Sequence, residues 1–145
     1  MKHIALIACS AHKQGKDTPE KKFRAMDIYT GNTFIKSKTE GIKRFCCDDF
    51  HILSAKYGLL DKDYEICYYD MYLGHQKLAY KKQWASTILE KLKSHYDLAT
   101  TKFYIFGGSD YYKDLVPHLN CVVFSYINSN TINFDEAKEF LNGGK

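Results

Sequence analysis

The stretch His3-Ile4-Ala5-Leu6-Ile7-Ala8-Cys9-Ser10 decides what fold to expect of this chain. Its first six residues form an almost continuously apolar run, and two small polar residues follow at once. Continuous rather than alternating hydrophobicity is typical of a strand that is buried on both faces of a sheet. We therefore expect a buried strand here, with helices packed on both sides of it.

Three further apolar runs have the same character and predict three more strands. They cover residues 49–54, 102–106 and 121–126. Elsewhere the apolar residues recur at helical spacing. This spacing predicts a helix capped by Thr30, a long helix over about 76–95, a shorter helix capped by Ser109 and Asp110, and a final helix from Asn133.

Strands that alternate with helices indicate parallel β-α units. We therefore predict that residues 1–145 form a single domain of the α/β class. The expected architecture is a three-layer, Rossmann-like fold whose mostly parallel sheet has about four to five strands.

The composition is that of a folded protein, because 45% of the 145 residues are hydrophobic and only two are prolines. It excludes a disordered, collagen-like or low-complexity chain. No apolar run approaches the ~18 residues that a membrane span needs, and no secretory leader opens the chain. We expect a cytoplasmic protein without a membrane partner.

Five cysteines, an odd number without framework spacing, favour a reducing compartment over a disulfide scaffold. Cys46, Cys47 and His51 are the nearest approach to a zinc motif. Adjacent cysteine side chains point in different directions, however, and the sequence has no CxxC pair. We expect neither a metal nor a cofactor.

Positive charge is concentrated in residues 1–44, which hold ten Lys or Arg and four Asp or Glu. The remaining residues hold eleven and thirteen, so the excess lies in the first third of the chain. It is densest over residues 13–24. Such a cluster is typical of an anion-binding loop and equally of an ordinary solvated surface, and both interpretations stay open.

Small polar residues follow the first predicted strand. Cys9 and Ser10 would let a ligand approach the turn closely, and Lys13 could meet an anion. The same residues could simply end a strand. A Gly-rich dinucleotide fingerprint and a phosphate-loop motif are both missing, which argues against dinucleotide binding and P-loop hydrolysis.

Ser54 and Lys56 lie at the end of the second predicted strand, and Gly58 permits a sharp turn there. Tyr57 and Tyr69 belong to the tyrosine-rich stretch that follows. Stacked tyrosines suit planar bases or sugars, because each offers a π-face and a hydroxyl. The alternative is that these tyrosines pack the periphery of a small domain.

Gly107 and Gly108 end the third predicted strand, and Ser109 and Asp110 open the helix behind them. Backbone N–H groups at such a helix start suit a phosphate, a carboxylate or a ribose hydroxyl. In open parallel sheets, ligands bind beyond the carboxyl ends of the strands. Because all three polar stretches follow strands, we expect them to meet over one rim and to form a single recess.

Four short motifs resemble, in the same order, those of the YaaA family of peroxide-stress proteins. They are Tyr29-Thr30-Gly31, then Leu53-Ser54 with Tyr57-Gly58 and Leu60, then Tyr69 with Leu73-Gly74, and last Ser109-Asp110 with Tyr112. The resemblance spans residues 6–115. It implies a shared pocket at the matching positions, which are Ser10, Lys13, Tyr29, Thr30, Ser54, Tyr57, Gly58, Tyr69, Gly108 and Asp110.

The chain departs from the YaaA family in three respects, the first of which concerns the DNA-associated part of that family. YaaA proteins are longer, and this chain has no room for their DNA-associated helical hairpin. Cys67 stands where that family has a proline, and Ala55-Lys56 replaces a glycine-leucine pair.

These observations predict a pocket protein for a nucleotide, nucleoside or nucleobase, which could act on a glycosidic bond as a hydrolase or base transferase. One alternative is a non-catalytic protein that senses or sequesters a nucleotide. The other is a YaaA-like DNA-binding protein of the stress response, for which nucleic acid would be the partner. The oligomeric state stays open.

The candidate catalytic residues are Asp110, Ser54 and Ser10, and Asp70 is a second candidate carboxylate. The candidate ligand-binding residues are Cys9, Lys13, Tyr29, Thr30, Lys56, Tyr57, Gly58, Tyr69, Gly107, Gly108 and Ser109.

Overall fold

The computed structural model describes residues 1–128 and 130–144, without the side chain of Ser125. The strands of its main sheet are β1 (Lys2–Ala8), β3 (Asp49–Ser54), β4 (Gly58–Asp61), β6 (Thr101–Phe106), β7 (Asn120–Asn128) and β8 (Thr131–Leu141). They lie side by side in the order β4-β3-β1-β6-β7-β8. A separate antiparallel pair joins β2 (Phe23–Arg24) to β5 (Glu65–Ile66).

The main sheet is mixed. β1 pairs in parallel with β3 and with β6, and β6 pairs in parallel with β7. Both edge strands run the other way, because β4 returns beside β3 and β8 returns beside β7. The carboxyl ends of the four inner strands therefore lie at one end of the sheet.

The described helices are short, apart from one. They are α1 (Ala25–Ile28), α2 (Asn32–Lys36), α3 (Ile42–Arg44), α4 (Leu78–His95) and α5 (Ser109–Tyr112). A π-helical turn over Ser37–Gly41 joins α2 to α3, and single 3₁₀ turns occupy Leu73–His75 and Val116–His118. No helix in the described ranges is both long and apolar enough to cross a bilayer.

The predicted fold class is wrong, although all four predicted strands are present. A three-layer, Rossmann-like domain would have regular β-α units around a mostly parallel sheet of four to five strands. The chain instead forms a mixed sheet of six strands and a second, two-stranded sheet, and of the described helices only α4 exceeds five residues.

The edge strand β4 is one cause of the discrepancy. Gly58 has a φ of +71°, a left-handed conformation in which glycine is not strained, so the chain reverses there and pairs back on β3. Leu59 and Leu60 then point to opposite faces of the sheet and join different cores. A loop was expected at this position because two apolar residues are too few to show an alternating pattern.

The edge strand β8 is the second cause, since a helix was predicted from Asn133. Phe134, Ala137 and Phe140 have helical spacing, but the structure places the two phenylalanines on opposite faces of the sheet. A bulge explains this, because Phe124 of β7 opposes Ala137 while the next residue opposes Asn133. Extra residues in a bulge shift the two-residue alternation of a strand, which can then imitate a helical repeat.

Two hydrophobic cores lie on the two faces of the main sheet. Leu6 of β1 enters the first core, where Ile88 and Leu92 of α4 cover it. Ile7, its neighbour, enters the second core together with Tyr29 and Phe34. The continuous apolar run of β1 is therefore buried on both faces, as its sequence predicts.

The long helix was predicted at its observed place, but two predicted caps were wrong. Thr30 is exposed, and Gly31 is the residue that precedes α2. Gly108 precedes α5, so Ser109 and Asp110 are its first residues rather than its cap. The helix ends at Tyr112, well before Pro117.

Candidate functional site

A cavity of about 490 Å³ opens at the carboxyl ends of β1 and β6. Its walls come from the loop after β1, the start of α2, the segment after β5, the start of α5 and the hairpin of β7 and β8. The lining residues are Ala8, Cys9, Ser10, Ala11, His12, Gly31, Thr33, Asp70, Met71, Tyr72, Gly108, Ser109, Asp110, Tyr111, Tyr126 and Asn130. We call this space the strand-end cavity.

The first wall is held by Ser10. Its hydroxyl donates to the carbonyl of His12 at 2.7 Å and accepts from the N–H of Gly31 at 3.1 Å. A Cβ on Gly31 would lie 2.6 Å from the Cβ of Ser10, so only glycine fits there. Because its proton is already donated, Ser10 positions the loop after β1 against α2 and is poorly placed to act as a nucleophile.

Cys9 lies beside Ser10 at the end of β1. Its backbone N–H donates to the carbonyl of Leu53 on β3 at 2.9 Å, which continues the parallel ladder. Its Sγ is 3.4 Å from the hydroxyl oxygen of Tyr111, a buried residue of α5. Burial, together with the neighbouring Cys9, raises the pKa of the Tyr111 hydroxyl far above its usual value, so that this group stays protonated.

The second wall carries Asp110. Its Oδ1 lies 3.3 Å from Nζ of Lys81 and 3.5 Å from Nζ of Lys113, and 29% of its side chain is exposed. The close approach of Gly74 completes this wall, because a Cβ there would lie 2.8 Å from Oδ2 of Asp110. Two ammonium groups and a tight neighbour thus hold the carboxylate in one orientation on the cavity surface.

Ser54 lies beneath the strand-end cavity rather than on its surface. The residue is fully buried, and its hydroxyl accepts from the N–H of Tyr57 at 3.0 Å. Ser54 Oγ is also 2.8 Å from the hydroxyl of Tyr69, which is 2.6 Å from the hydroxyl of Tyr29. We call Ser54, Tyr69 and Tyr29 the hydroxyl chain.

The hydroxyl chain is a structural feature. Burial raises the pKa values of Tyr29 and Tyr69 far above the usual phenol range, so both hydroxyls stay protonated. Trp84 of α4 donates its indole N–H to the carbonyl of Ser54 at 2.7 Å. The hydroxyl chain therefore links both cores to the end of β3. None of its three hydroxyls is exposed to a ligand as a nucleophile.

Two lysines lie over the Tyr69 ring. Lys13 places Nζ 4.6 Å from the ring centroid, and Lys56 places Nζ 5.9 Å from it. The ring of Tyr57 packs edge-on against Tyr69 at 5.5 Å. Lys13 is half-buried, and burial lowers its pKa.

The remaining predicted residues act through the backbone. Thr30 is exposed, and its N–H donates to the carbonyl of His12 at 2.9 Å. Gly58 makes the turn between β3 and β4. Gly107 lets β6 approach β1, since a Cβ there would lie 2.7 Å from the Cβ of Ala8.

The structure therefore brings five predicted residues together on the cavity surface, namely Cys9, Ser10, Gly108, Ser109 and Asp110. Asp70, the second candidate carboxylate, lies on the same surface. Lys13 and Tyr69 adjoin the lining residues His12 and Asp70 in the chain but do not line the cavity. Tyr69, Ser54 and Tyr29 are buried.

Sequence reasoning did not select Thr33, Tyr72, Tyr126 and Asn130, which also line the cavity. Tyr126 could have been found, because it ends the fourth predicted strand and the strand-end rule applies to it as well. Tyr72 lies in the tyrosine-rich stretch but outside the motifs. The sequence contains no feature that would single out Asn130, because the segment around it was predicted to lead into a helix rather than to form a hairpin.

The site has no metal-binding character in the described residues, which contain no group of three or more His, Cys, Asp or Glu side chains that could hold an ion. All five cysteines are free thiols.

A protein-family model matches residues 4–131, which is most of the chain. The chain belongs to the DUF6884 family. That family is described as one of unknown function, and its match runs from β1 to the start of β8, so it covers every wall of the cavity. No curated protein and no solved structure matches the chain. Nothing found links DUF6884 to YaaA, and that resemblance stays a prediction.

Proposed function

We propose that the strand-end cavity binds a small molecule that carries a nucleobase. The supporting observation is that tyrosines and carboxylates line one space: Tyr72 and Tyr126 with Asp70 and Asp110. A cavity of about 490 Å³ lies within the size range of ordinary small-ligand sites, ~300–1,000 Å³.

Each group in this set matches a part of a nucleoside. A tyrosine ring offers a face on which a planar base can stack. Carboxylate oxygens accept hydrogen bonds from the N–H groups of a base or from the hydroxyls of a ribose. The hydroxyl and amide groups of Thr33 and Asn130, which line the same space, add donors and acceptors for the base edge.

Ligand-induced thermal stabilisation tests this proposal. Free bases, nucleosides and nucleoside 5′-monophosphates would each be added, and at least one should raise the melting temperature. Tyr72→Ala should weaken that shift, because one of the proposed stacking rings is lost at a residue that is about half exposed. Tyr64→Ala is the matched control, since Tyr64 is also exposed but lies away from this cavity.

Absence of a shift with every nucleobase compound would contradict the proposal. So would equal losses in Tyr72→Ala and Tyr64→Ala, because the effect would then not come from the cavity.

Asp110 supports a second step, cleavage or exchange of the glycosidic bond. Such a reaction develops positive charge on the sugar, and a carboxylate held in one orientation can stabilise it without reorganising. Lys81 and Lys113 hold Asp110 in this way. Water or an acceptor base would supply the new bond to the sugar, and the departing base would take up a proton.

Asp110→Asn should lower turnover by roughly a hundredfold or more, while ligand-induced stabilisation largely persists, because the amide oxygen can still accept a hydrogen bond. Release of free base, followed by chromatography, measures turnover. Asp114→Asn is the control, because Asp114 is likewise paired with a lysine, Lys82 at 2.8 Å, but does not line the strand-end cavity. A ligand that stabilises the wild-type protein and is recovered unchanged would overturn catalysis and leave the sensing or sequestering alternative.

A further inference from the structure

Two ammonium groups share one aromatic ring beside the strand-end cavity. Lys13 Nζ lies 4.6 Å from the centroid of Tyr69, and Lys56 Nζ lies 5.9 Å from the same centroid. Each lysine also faces a second tyrosine, Tyr68 at 5.8 Å for Lys13 and Tyr57 at 5.3 Å for Lys56. We call Lys13, Lys56 and Tyr69 the lysine pair site.

Neither lysine is neutralised by the described part of the protein. No described carboxylate lies within 4.0 Å of Nζ in Lys13 or Lys56, in contrast to Lys62, Lys81 and Lys82. An ammonium group has three donors, and the hydrogen bond found for Lys13 Nζ is one to the carbonyl of Ala11 at 3.2 Å. Donors therefore remain for an external acceptor.

Cation–π contact alone does not explain why the Lys13 ammonium is half-buried. An exposed lysine can rest on a ring at little cost, but Lys13 is half-buried and has lost part of its hydration. A partly desolvated ammonium is stabilised by a nearby anion. On the described part of the protein, Cys9 and then Asp70 act on Lys13 through their charge, but Asp70 makes no ion pair with it.

The lysine pair site adjoins the strand-end cavity along the chain, although its three residues are not among the lining residues. Lys13 directly follows the lining residue His12, and Tyr69 directly precedes the lining residue Asp70. A ligand whose base occupies the cavity could therefore extend an anionic group toward the two lysines.

We propose that Lys13 and Lys56 form a phosphate subsite, so that the ligand of this protein is a nucleotide rather than a nucleoside or free base. The inference rests on the proposed function, because it takes the base to lie in the strand-end cavity. Lysine is a common phosphate-binding residue, and a phosphate offers oxygens to more than one ammonium group at once.

The test compares three probes by calorimetry in a phosphate-free buffer: a nucleoside, its 5′-monophosphate and inorganic phosphate. The base is the one that gives the largest thermal shift with the wild-type protein. We expect the monophosphate to bind at least about tenfold more tightly than the nucleoside, which corresponds to one charge-assisted hydrogen bond at ~1.4 kcal/mol per tenfold.

Lys13→Gln should remove most of this preference and Lys56→Gln a smaller part, because Lys56 is exposed. Lys13→Arg should retain it, since the charge remains. Lys16→Gln is the matched control, as Lys16 is exposed, is near Lys13 in the chain and lies outside both sites. If Lys13→Gln does not fold, the preference for the monophosphate over the nucleoside in Lys56→Gln and Lys13→Arg still tests the phosphate subsite.

Failure of the subsite and failure of the proposed function give different results. Equal affinity for nucleoside and monophosphate would overturn the phosphate subsite and leave the nucleobase cavity intact. Binding of inorganic phosphate that depends on Lys13, without binding of any nucleobase compound, would support the subsite and overturn the nucleobase proposal. An equal loss in Lys13→Gln and Lys16→Gln would overturn the subsite, because it would show only a general effect of positive charge.

Discussion

At the residue scale, the three buried hydroxyls of Ser54, Tyr69 and Tyr29 are linked to one another by hydrogen bonds. Tyr69 lies in the middle, 2.8 Å from one hydroxyl oxygen and 2.6 Å from the other. When a buried hydroxyl loses its hydrogen-bond partner, the free-energy cost of removing it from water is no longer compensated. The two outer hydroxyls therefore depend on the central one.

Tyr69→Phe should lower the free energy of unfolding by about 1–3 kcal/mol, because two buried hydroxyls lose a partner while the aromatic packing is kept. Chemical denaturation of the variant and the wild-type protein measures the difference. Tyr68→Phe is the control, since Tyr68 is only half-buried and adjacent in the chain. A loss in Tyr68→Phe as large as that in Tyr69→Phe would show that the hydroxyl chain contributes nothing of its own.

Six of the sixteen residues on the cavity surface could be anticipated singly, because strand ends attract small and polar residues. Their roles could not. Ser10 and Ser54 are equally plausible nucleophiles in the sequence, but one donates its proton to a carbonyl and the other is fully buried. Such roles depend on contacts between residues far apart in the chain, such as that of Gly31 with Ser10, which periodicity does not contain.

At the element scale, the loop after β1 and the start of α2 touch through a contact that leaves no space for a side chain. Gly31→Ala would place its Cβ 2.6 Å from the Cβ of Ser10, and the backbone on both sides would have to move. We expect a loss of about 1–3 kcal/mol in the free energy of unfolding, as for overpacked cores.

Gly108→Ala is the matched control for that prediction, at the other wall of the cavity. Nothing lies within 4 Å of its added Cβ, and its φ of −72° suits alanine. The unfolding free energy should change by less than about 1 kcal/mol, since the restriction of the unfolded chain by alanine offsets its weaker preference for the N-cap of α5. Similar losses for the two variants, measured by denaturation, would show that the Gly31 contact is not tight.

The contact between β3 and the end of α4 predicts a dependence on pH. Nε2 of His51 lies 2.6 Å from the hydroxyl of Tyr96, the residue that follows α4. Burial lowers the pKa of His51 from its ordinary value of 6.5, an effect only partly opposed by Asp49 and Asp61. The neutral imidazole can accept the hydrogen bond that Tyr96 donates, since burial raises the pKa of that hydroxyl.

Because the folded-state pKa of His51 is lowered, the unfolded chain binds the proton first as the pH falls below about 6.5. The contribution of neutral His51 to stability is therefore fully present above that pH and is lost progressively below it. His51→Gln should reduce the fall in melting temperature between pH 7 and pH 5.5, compared with the wild-type protein. If the melting temperatures of His51→Gln and of the wild-type protein fall by the same amount, His51 is not the cause of the fall. His118→Gln is the control, because His118 is an exposed histidine.

At the scale of the whole molecule, the inner strands were predictable and the edges were not. Continuous apolar runs mark β1, β3, β6 and β7 because both faces of these strands are buried. The edge strands carry no such mark. β4 has four residues, and β8 has a bulge that puts Phe134 and Phe140 on opposite faces.

The position of the cavity could be predicted from a general rule about strand ends, whereas no single motif predicted it. Parallel inner strands end at the same side of a sheet, so the polar residues behind them must converge there. Asn130 escaped prediction because the wall that carries it depends on β8, and β8 had been expected to be a helix, whereas the same general rule could have selected Tyr126 at the end of β7.

The first strand of the chain lies in the middle of the main sheet, and this order has a consequence for biosynthesis. While the ribosome is still adding residues, β1 emerges long before its neighbours, since its ladder partners begin at Asp49 on one side and Thr101 on the other. The nascent chain must therefore keep at least one edge of this apolar strand open until β6 has been synthesised, a state in which chaperones commonly engage a polypeptide.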